Sequence, residues 1–145
     1  MSKYNLNRFI KAQTYDFDIA YKELINERKE SHWMWYIFPQ IIGLGHSEMA
    51  EYYSIQNLNE AKEYMKNEIL GSRMNLLLDV LLTSKETNPI KIFDFPDNLK
   101  LCSSLTLFMY ADQTNPKFKA TLDKFFQGKV DLKIVNILKE LGDIE

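Results

Sequence analysis

A single cysteine, Cys102, leaves the chain no means of forming an internal disulfide framework and fits a reducing compartment. No apolar run approaches the roughly 20 residues that cross a bilayer. The opening Met1-Ser2-Lys3-Tyr4-Asn5-Leu6-Asn7-Arg8 lacks the apolar centre of a signal peptide. The expectation is a cytoplasmic protein with no membrane association. Neither G-x-x-x-x-G-K-S/T nor G-x-G-x-x-G occurs, which excludes a P-loop and a dinucleotide fingerprint. Only two histidines are present, His32 and His46, 14 positions apart and without a third ligand at metal spacing. The pattern therefore points to no metal site, and any cofactor is left open. Charge of neither sign accumulates. There are 18 Lys and Arg against 20 Asp and Glu, a net −2, with the basic residues spread along the chain. Nucleic-acid binding rests on clustered positive charge, so none is expected.

The chain is rich, by contrast, in helical periodicity. At 145 residues it has the length of one ordinary domain. With 46% hydrophobic against 26% charged residues it is globular rather than disordered. Leu6, Phe9, Ile10 and Gln13 share one helix face. Gln13 is the polar member, and a buried amide without partners costs roughly 1–3 kcal/mol. Asp16 reads as the cap of a second helix, with Phe17, Ala20, Tyr21, Leu24, Ile25 and Arg28 on its inner stripe. Asn57 caps a helix with Leu58, Ala61 and Met65 inward. Gly71 reads as a break before the most hydrophobic helix, marked by Met74, Leu77, Leu78, Leu81 and Leu82. Arg73 at its start opposes the macrodipole and calls for a carboxylate or an anion. Asn88-Pro89 and Asn115-Pro116 are cap-and-proline starts. Pro96-Asp97 opens a helix to about Tyr110, with Leu101, Cys102, Leu105, Phe108 and Met109 on its core face. Lys100, Ser103, Ser104 and Thr106 occupy the other side. Asp131 caps a last helix with Leu132, Val135, Leu138 and Leu141 inward. No repeat, linker, low-complexity segment or strand is evident. The predicted fold is one all-α domain over residues 1–145, with seven to nine helices, several of them short.

The unusual chemistry is concentrated in Ser31–Ser47. This stretch holds both tryptophans, both histidines, one of four prolines and two of five glycines. Trp33 and Trp35, two positions apart, cannot share a helix face, so one of them is expected to reach beyond the central core. Phe38-Pro39 ends any helix, Gly43-Leu44-Gly45 lets the backbone turn, and Ser47 can cap the next helix. His32 is the one candidate general base, because histidine is the side chain whose ordinary chemistry suits proton transfer near neutral pH; a packed or hydrogen-bonded histidine is the plainer alternative. Ser103, Ser104 and Thr106 are poor helix formers. They either permit close helix packing or form a polar wall for an anion.

Four segments together resemble the bacterial family catalogued as domain of unknown function 1810, whose structural type is an all-helical mycobacterial protein. They are Leu6-Asn7-Arg8-Phe9-Ile10-Lys11-Ala12-Gln13, Ser31-His32-Trp33-Met34-Trp35, Leu70-Gly71-Ser72-Arg73, and Lys100-Leu101-Cys102-Ser103-Ser104-Leu105-Thr106-Leu107-Phe108. They occur in the family's order and span nearly the whole chain. The resemblance implies an all-α fold and no particular activity. The family often has arginine where this chain has Cys102, and glycine where it has Asp94.

The residues support three functional readings. In the first, Gln13, His32, Trp33, Trp35, Gln40, Arg73, Lys100, Ser103, Ser104 and Thr106 line a pocket for a small molecule, such as a nucleotide-derived or phosphorylated metabolite. In that pocket aromatics stack and polar groups orient. Catalysis is left open. In the second, the tryptophan-rich stretch is a groove for a protein partner. In the third, it is a core plug.

Overall fold

The computed structural model describes residues 3–145. Among them the chain forms nine helices and no strand. They are α1 (Asn7–Ile25), α2 (Met34–Ile37), α3 (Glu48–Tyr52), α4 (Leu58–Lys66), α5 (Glu68–Thr83), α6 (Pro89–Phe93), α7 (Asp97–Ala111), α8 (Pro116–Phe126) and α9 (Leu132–Glu140). Six of them begin on a side-chain cap: Ser47, Asn57, Asn67, Asn88, Asn115 and Asp131 each accept from an amide of the following turn. Each cap contributes about 1 kcal/mol. Lys124 serves the opposite end of α5. Its Nζ donates to the carbonyls of Leu81 at 2.7 Å and Ser84 at 2.6 Å.

The helices pack in a diamond. α4 and α8 each contact both α5 and α7, α1 lies against α5, and α6 and α9 lie against α7. An aromatic file runs through the middle, from Phe9 to Tyr64 to Phe108 to Phe118, with ring centres 5.0–6.0 Å apart. α7 is buried on nearly all sides, and Ser103 through Phe108 are all buried.

Two predicted boundaries move. Asp16 starts no helix, because α1 runs unbroken to Ile25; its carboxylate instead accepts from the Tyr36 hydroxyl. Gly71 breaks nothing. It sits one turn inside α5, where a Cβ would lie 2.3 Å from the Met65 carbonyl oxygen. The glycine is there for the close approach of the end of α4, which joins α5 through the single residue Asn67.

A buried ion pair, Arg8–Glu60 at 2.9 Å, ties α1 to α4 with side chains 7% and 1% exposed. Arg8 also donates to the carbonyls of Tyr52 and Ser54, both at 2.9 Å. The Ile41 and Ile55 backbones pair alongside, through Ile42 N–H to Ile55 O and Ile55 N–H to Gln40 O, both 2.8 Å. The excursion between residues 41 and 55 is thus closed at its base.

Asp94 ends α6 at φ 62°, ψ 165°, a conformation that essentially only glycine adopts without strain, costing other residues about 1–3 kcal/mol. Its bidentate contact with Arg28, at 2.8 and 3.0 Å, is solvent-exposed, where screening leaves an ion pair little net effect. Asp94→Gly should therefore raise stability by about 1 kcal/mol, read as an upward shift of the thermal midpoint. A lower midpoint would show that the ion pair outweighs the strain. Gly71→Ala should cost about 1–3 kcal/mol in urea unfolding, because the clash is with backbone.

Candidate functional site

The segment after α1 folds back over Glu23. The Glu23 carboxylate accepts from the amides of Glu30 at 2.8 Å and Ser31 at 3.0 Å, from the Ser31 hydroxyl at 2.5 Å, and from the Trp33 indole N–H at 2.9 Å. Burial pushes its pKa up, but those donors outweigh it and bring the group down to about 2 from 4.5. Trp33 is consequently a core residue, packed against Phe38 and Phe93. Lys29 completes the anchor. Its ammonium donates to Ser31 O at 2.6 Å, pairs with Asp97 at 2.9 Å and lies 4.9 Å from the centre of the Trp33 ring.

Trp35 points the other way and is half-buried. It lines a cleft of about 770 Å³, with Gln40 and His46 beside it and Lys100, Ser103 and Asp131 among the residues facing it from the starts of α7 and α9. The volume lies within the range of small-molecule sites. Lys100 Nζ sits 5.9 Å from the centre of the Trp35 ring. Among the described residues no acceptor meets the Trp35 indole N–H, whereas that of Trp33 is engaged by Glu23.

The ten predicted site residues separate into four places. Trp35, Gln40, Lys100 and Ser103 line the cleft. Gln13 and Arg73 form a polar knot between α1, α2, α4 and α5. Gln13 Nε2 donates to Tyr36 O at 2.7 Å and the Tyr64 hydroxyl at 2.9 Å, and its Oε1 accepts from Arg73 at 3.3 Å. Burial pushes the Tyr64 phenol well above its ordinary pKa. Arg73 finds an amide and the Phe17 ring, 5.6 Å away, where a carboxylate was one expectation. His32 is exposed and outside the cleft. Trp33, Ser104 and Thr106 are buried behind it.

The hydroxyl stripe of α7 docks α9. The Ser103 hydroxyl donates to Asp131 Oδ2 at 2.6 Å, and Thr106 Oγ1 accepts the Asp131 amide at 2.9 Å while donating to Cys102 O. Asp131 Oδ1 meanwhile caps α9 through the Lys133 amide at 3.0 Å. Ser104 Oγ is buried with no partner among the described residues. The Cys102 thiol, on the cleft wall, is raised to about 11 by burial and then by Asp131, so it stays protonated at neutral pH.

Periodicity misses several lining residues. Leu132, expected inside, is 69% exposed on the cleft rim, and Leu99 is 51% exposed beside it. Leu138 lies on the inner face of α9 as expected, joined by Ile134, while Leu141, also expected inside, is 45% exposed. His46, within the distinctive stretch but not assigned to the pocket, and Lys133, which no local pattern marks, also line the cleft.

These features define an all-α domain with an aromatic-walled cleft between the excursion after α2 and the starts of α7 and α9. The chain belongs to the family described as "Protein of unknown function (DUF1810)", whose profile matches residues 3–138. It is similar to the conserved hypothetical protein Rv1873 from Mycobacterium tuberculosis, known from a crystal structure, at 38% identity and a TM-score of 0.92, covering 95% of this chain and 99% of that one. Among curated proteins none matches. No helix of the described residues is long and apolar enough to cross a membrane.

The Glu23 geometry has a pH consequence. Because the folded carboxyl lies below its ordinary 4.5, the carboxylate stabilises the fold in full above that value, and the contribution is lost as pH falls toward about 2. Glu23→Gln should cost about 1–3 kcal/mol at neutral pH. It should also flatten the fall in stability between pH 4.5 and 2, as measured by urea titrations at each pH.

Proposed function

We propose that the cleft binds a small molecule, a nucleotide-derived or phosphorylated metabolite, with its planar part on Trp35 and its polar groups toward Gln40, Lys100 and Lys133. The observation that carries this reading is the contrast between the two indoles. Trp33 is fully committed inside the protein, while Trp35 lines a cleft beside a lysine and keeps its N–H free of acceptors among the described residues. A large aromatic with an unused donor in a concave site suits ligand stacking. Ser103 and Thr106 support the ligand indirectly, by fixing α9. The lone free thiol, Cys102, supports a cytoplasmic setting.

A second reading has its own observation. The exposed rim residues Leu99 and Leu132 suit an apolar partner surface on the same cleft.

The test is intrinsic fluorescence titrated with nucleotides, dinucleotides and sugar phosphates, with free tryptophan as the inner-filter control. A saturable change is expected in the native protein and its loss in Trp35→Ala, with helical circular dichroism and the blue-shifted emission of Trp33 retained. Silence across the panel, together with a pull-down partner lost on Leu132→Glu, would move the assignment to the second reading.

A further inference from the structure

Resting on the small-molecule reading of the cleft, we propose that Lys100 selects the ligand. It does so by exchanging the Trp35 ring for the anionic group of a planar aromatic compound. In the structure its ammonium is only loosely held. It lies 5.9 Å from the ring centre, at the outer limit of a cation–π contact, and 3.7 Å from Asp97 Oδ1. Asp97 is shared, and the tighter share goes elsewhere: its Oδ2 is 2.9 Å from Lys29, whose side chain is 7% exposed. The buried ammonium depends on that carboxylate, while Lys100, 36% exposed, has water as an alternative.

Lys100 pairs with no other carboxylate among the described residues. The one carboxylate lining the cleft, Asp131, is turned to the Ser103 hydroxyl through Oδ2 and to the Lys133 amide through Oδ1. Lys133 lines the wall formed by α9 and has no ion pair among the described residues. The wall charge is therefore net positive.

The position of Lys100 adds the selectivity. Its ammonium covers the ring on which a flat ligand would stack, so a neutral aromatic must displace it and gives nothing in return. A ligand with a carboxylate or phosphate takes the indole face and supplies the ammonium with a charge-assisted partner. Loss of two weak contacts is offset by one strong one only when the ligand is both planar and anionic.

The experiment is isothermal titration calorimetry with adenosine, adenosine 5′-monophosphate and inorganic phosphate, on the native protein, Lys100→Gln, Lys133→Gln and Trp35→Ala. In the native protein the monophosphate should bind about tenfold tighter than adenosine, and inorganic phosphate more weakly than either. Lys100→Gln should bring the ratio of monophosphate to adenosine affinity close to one, with adenosine bound as well as before or better because the ring is uncovered. A Trp35-dependent site that binds adenosine as tightly as the monophosphate, or keeps the ratio in Lys100→Gln, would overturn the selection and leave the binding reading standing. A ratio abolished by Lys133→Gln alone would also overturn the role of Lys100. No Trp35-dependent binding of either nucleoside probe would overturn both the selection and the nucleotide reading of the cleft.

Discussion

The carboxylate of Glu23 governs how the distinctive segment of this chain is arranged. The backbone leaves α1, reverses through Glu27 at φ 58°, and returns so that residues 30, 31 and 33 lie over one side chain. Without that acceptor the buried Trp33 indole would lose its partner, while the part-buried Ser31 amide and hydroxyl and the exposed Glu30 amide would turn to water and release the segment. With it, Trp33 is fixed among Phe38 and Phe93, and the helical turn after it obliges Trp35 to face elsewhere. The same anchor reaches the opposite wall, because Lys29 binds Asp97 at the first turn of α7. Both sides of the cleft thus take their positions from one end of α1.

The remaining wall depends on α7, a helix that is neither plainly amphipathic nor plainly apolar. Its small hydroxyl residues let neighbours approach closely and also satisfy backbone groups. Thr106 answers the Asp131 amide, and Ser103 answers the Asp131 carboxylate. Two buried oxygens, Asn98 Oδ1 and Ser104 Oγ, lack partners among the described residues. Each carries a desolvation cost of about 1–3 kcal/mol, which the aromatic file and the leucines around it absorb.

Much of the fold is legible in the sequence because the signals are local. Caps at Asn57, Asn88, Asn115 and Asp131, the serine at 47 and the proline after Phe38 act within a turn of themselves: helices start at the caps, and α2 ends before the proline. Asp16 and Gly71 mislead because their roles are set by neighbours outside their own helix, the Tyr36 hydroxyl and the Met65 carbonyl at the end of α4. The candidate site is legible in kind rather than in membership. Trp35, Gln40 and Lys100 meet across the cleft, yet Gln13 and Arg73, equally unusual as residues, belong to a separate knot. Periodicity cannot distinguish two buried polar clusters on different faces of one bundle. It also places Leu132 inside, because nothing in a nine-residue helix marks which of its apolar residues turns outward.

The closed base of the 41–55 excursion separates what the loop looks like from whether the protein folds. Arg8 grips it by the carbonyls of Tyr52 and Ser54, atoms that every residue type supplies, and the Ile41–Ile55 pairing is likewise made by backbone. Apart from Gly43, held at φ 100°, and Gly45, where a Cβ would lie 2.7 Å from the Ala50 Cβ, side chains at the tip can therefore change without loosening the clamp. Even a change in length adds only about 0.6 kcal/mol per doubling of the loop. Descendants of this sequence are free to redraw one bank of the cleft by insertion or deletion around Gly43–His46, while the opposite bank stays tied to the core.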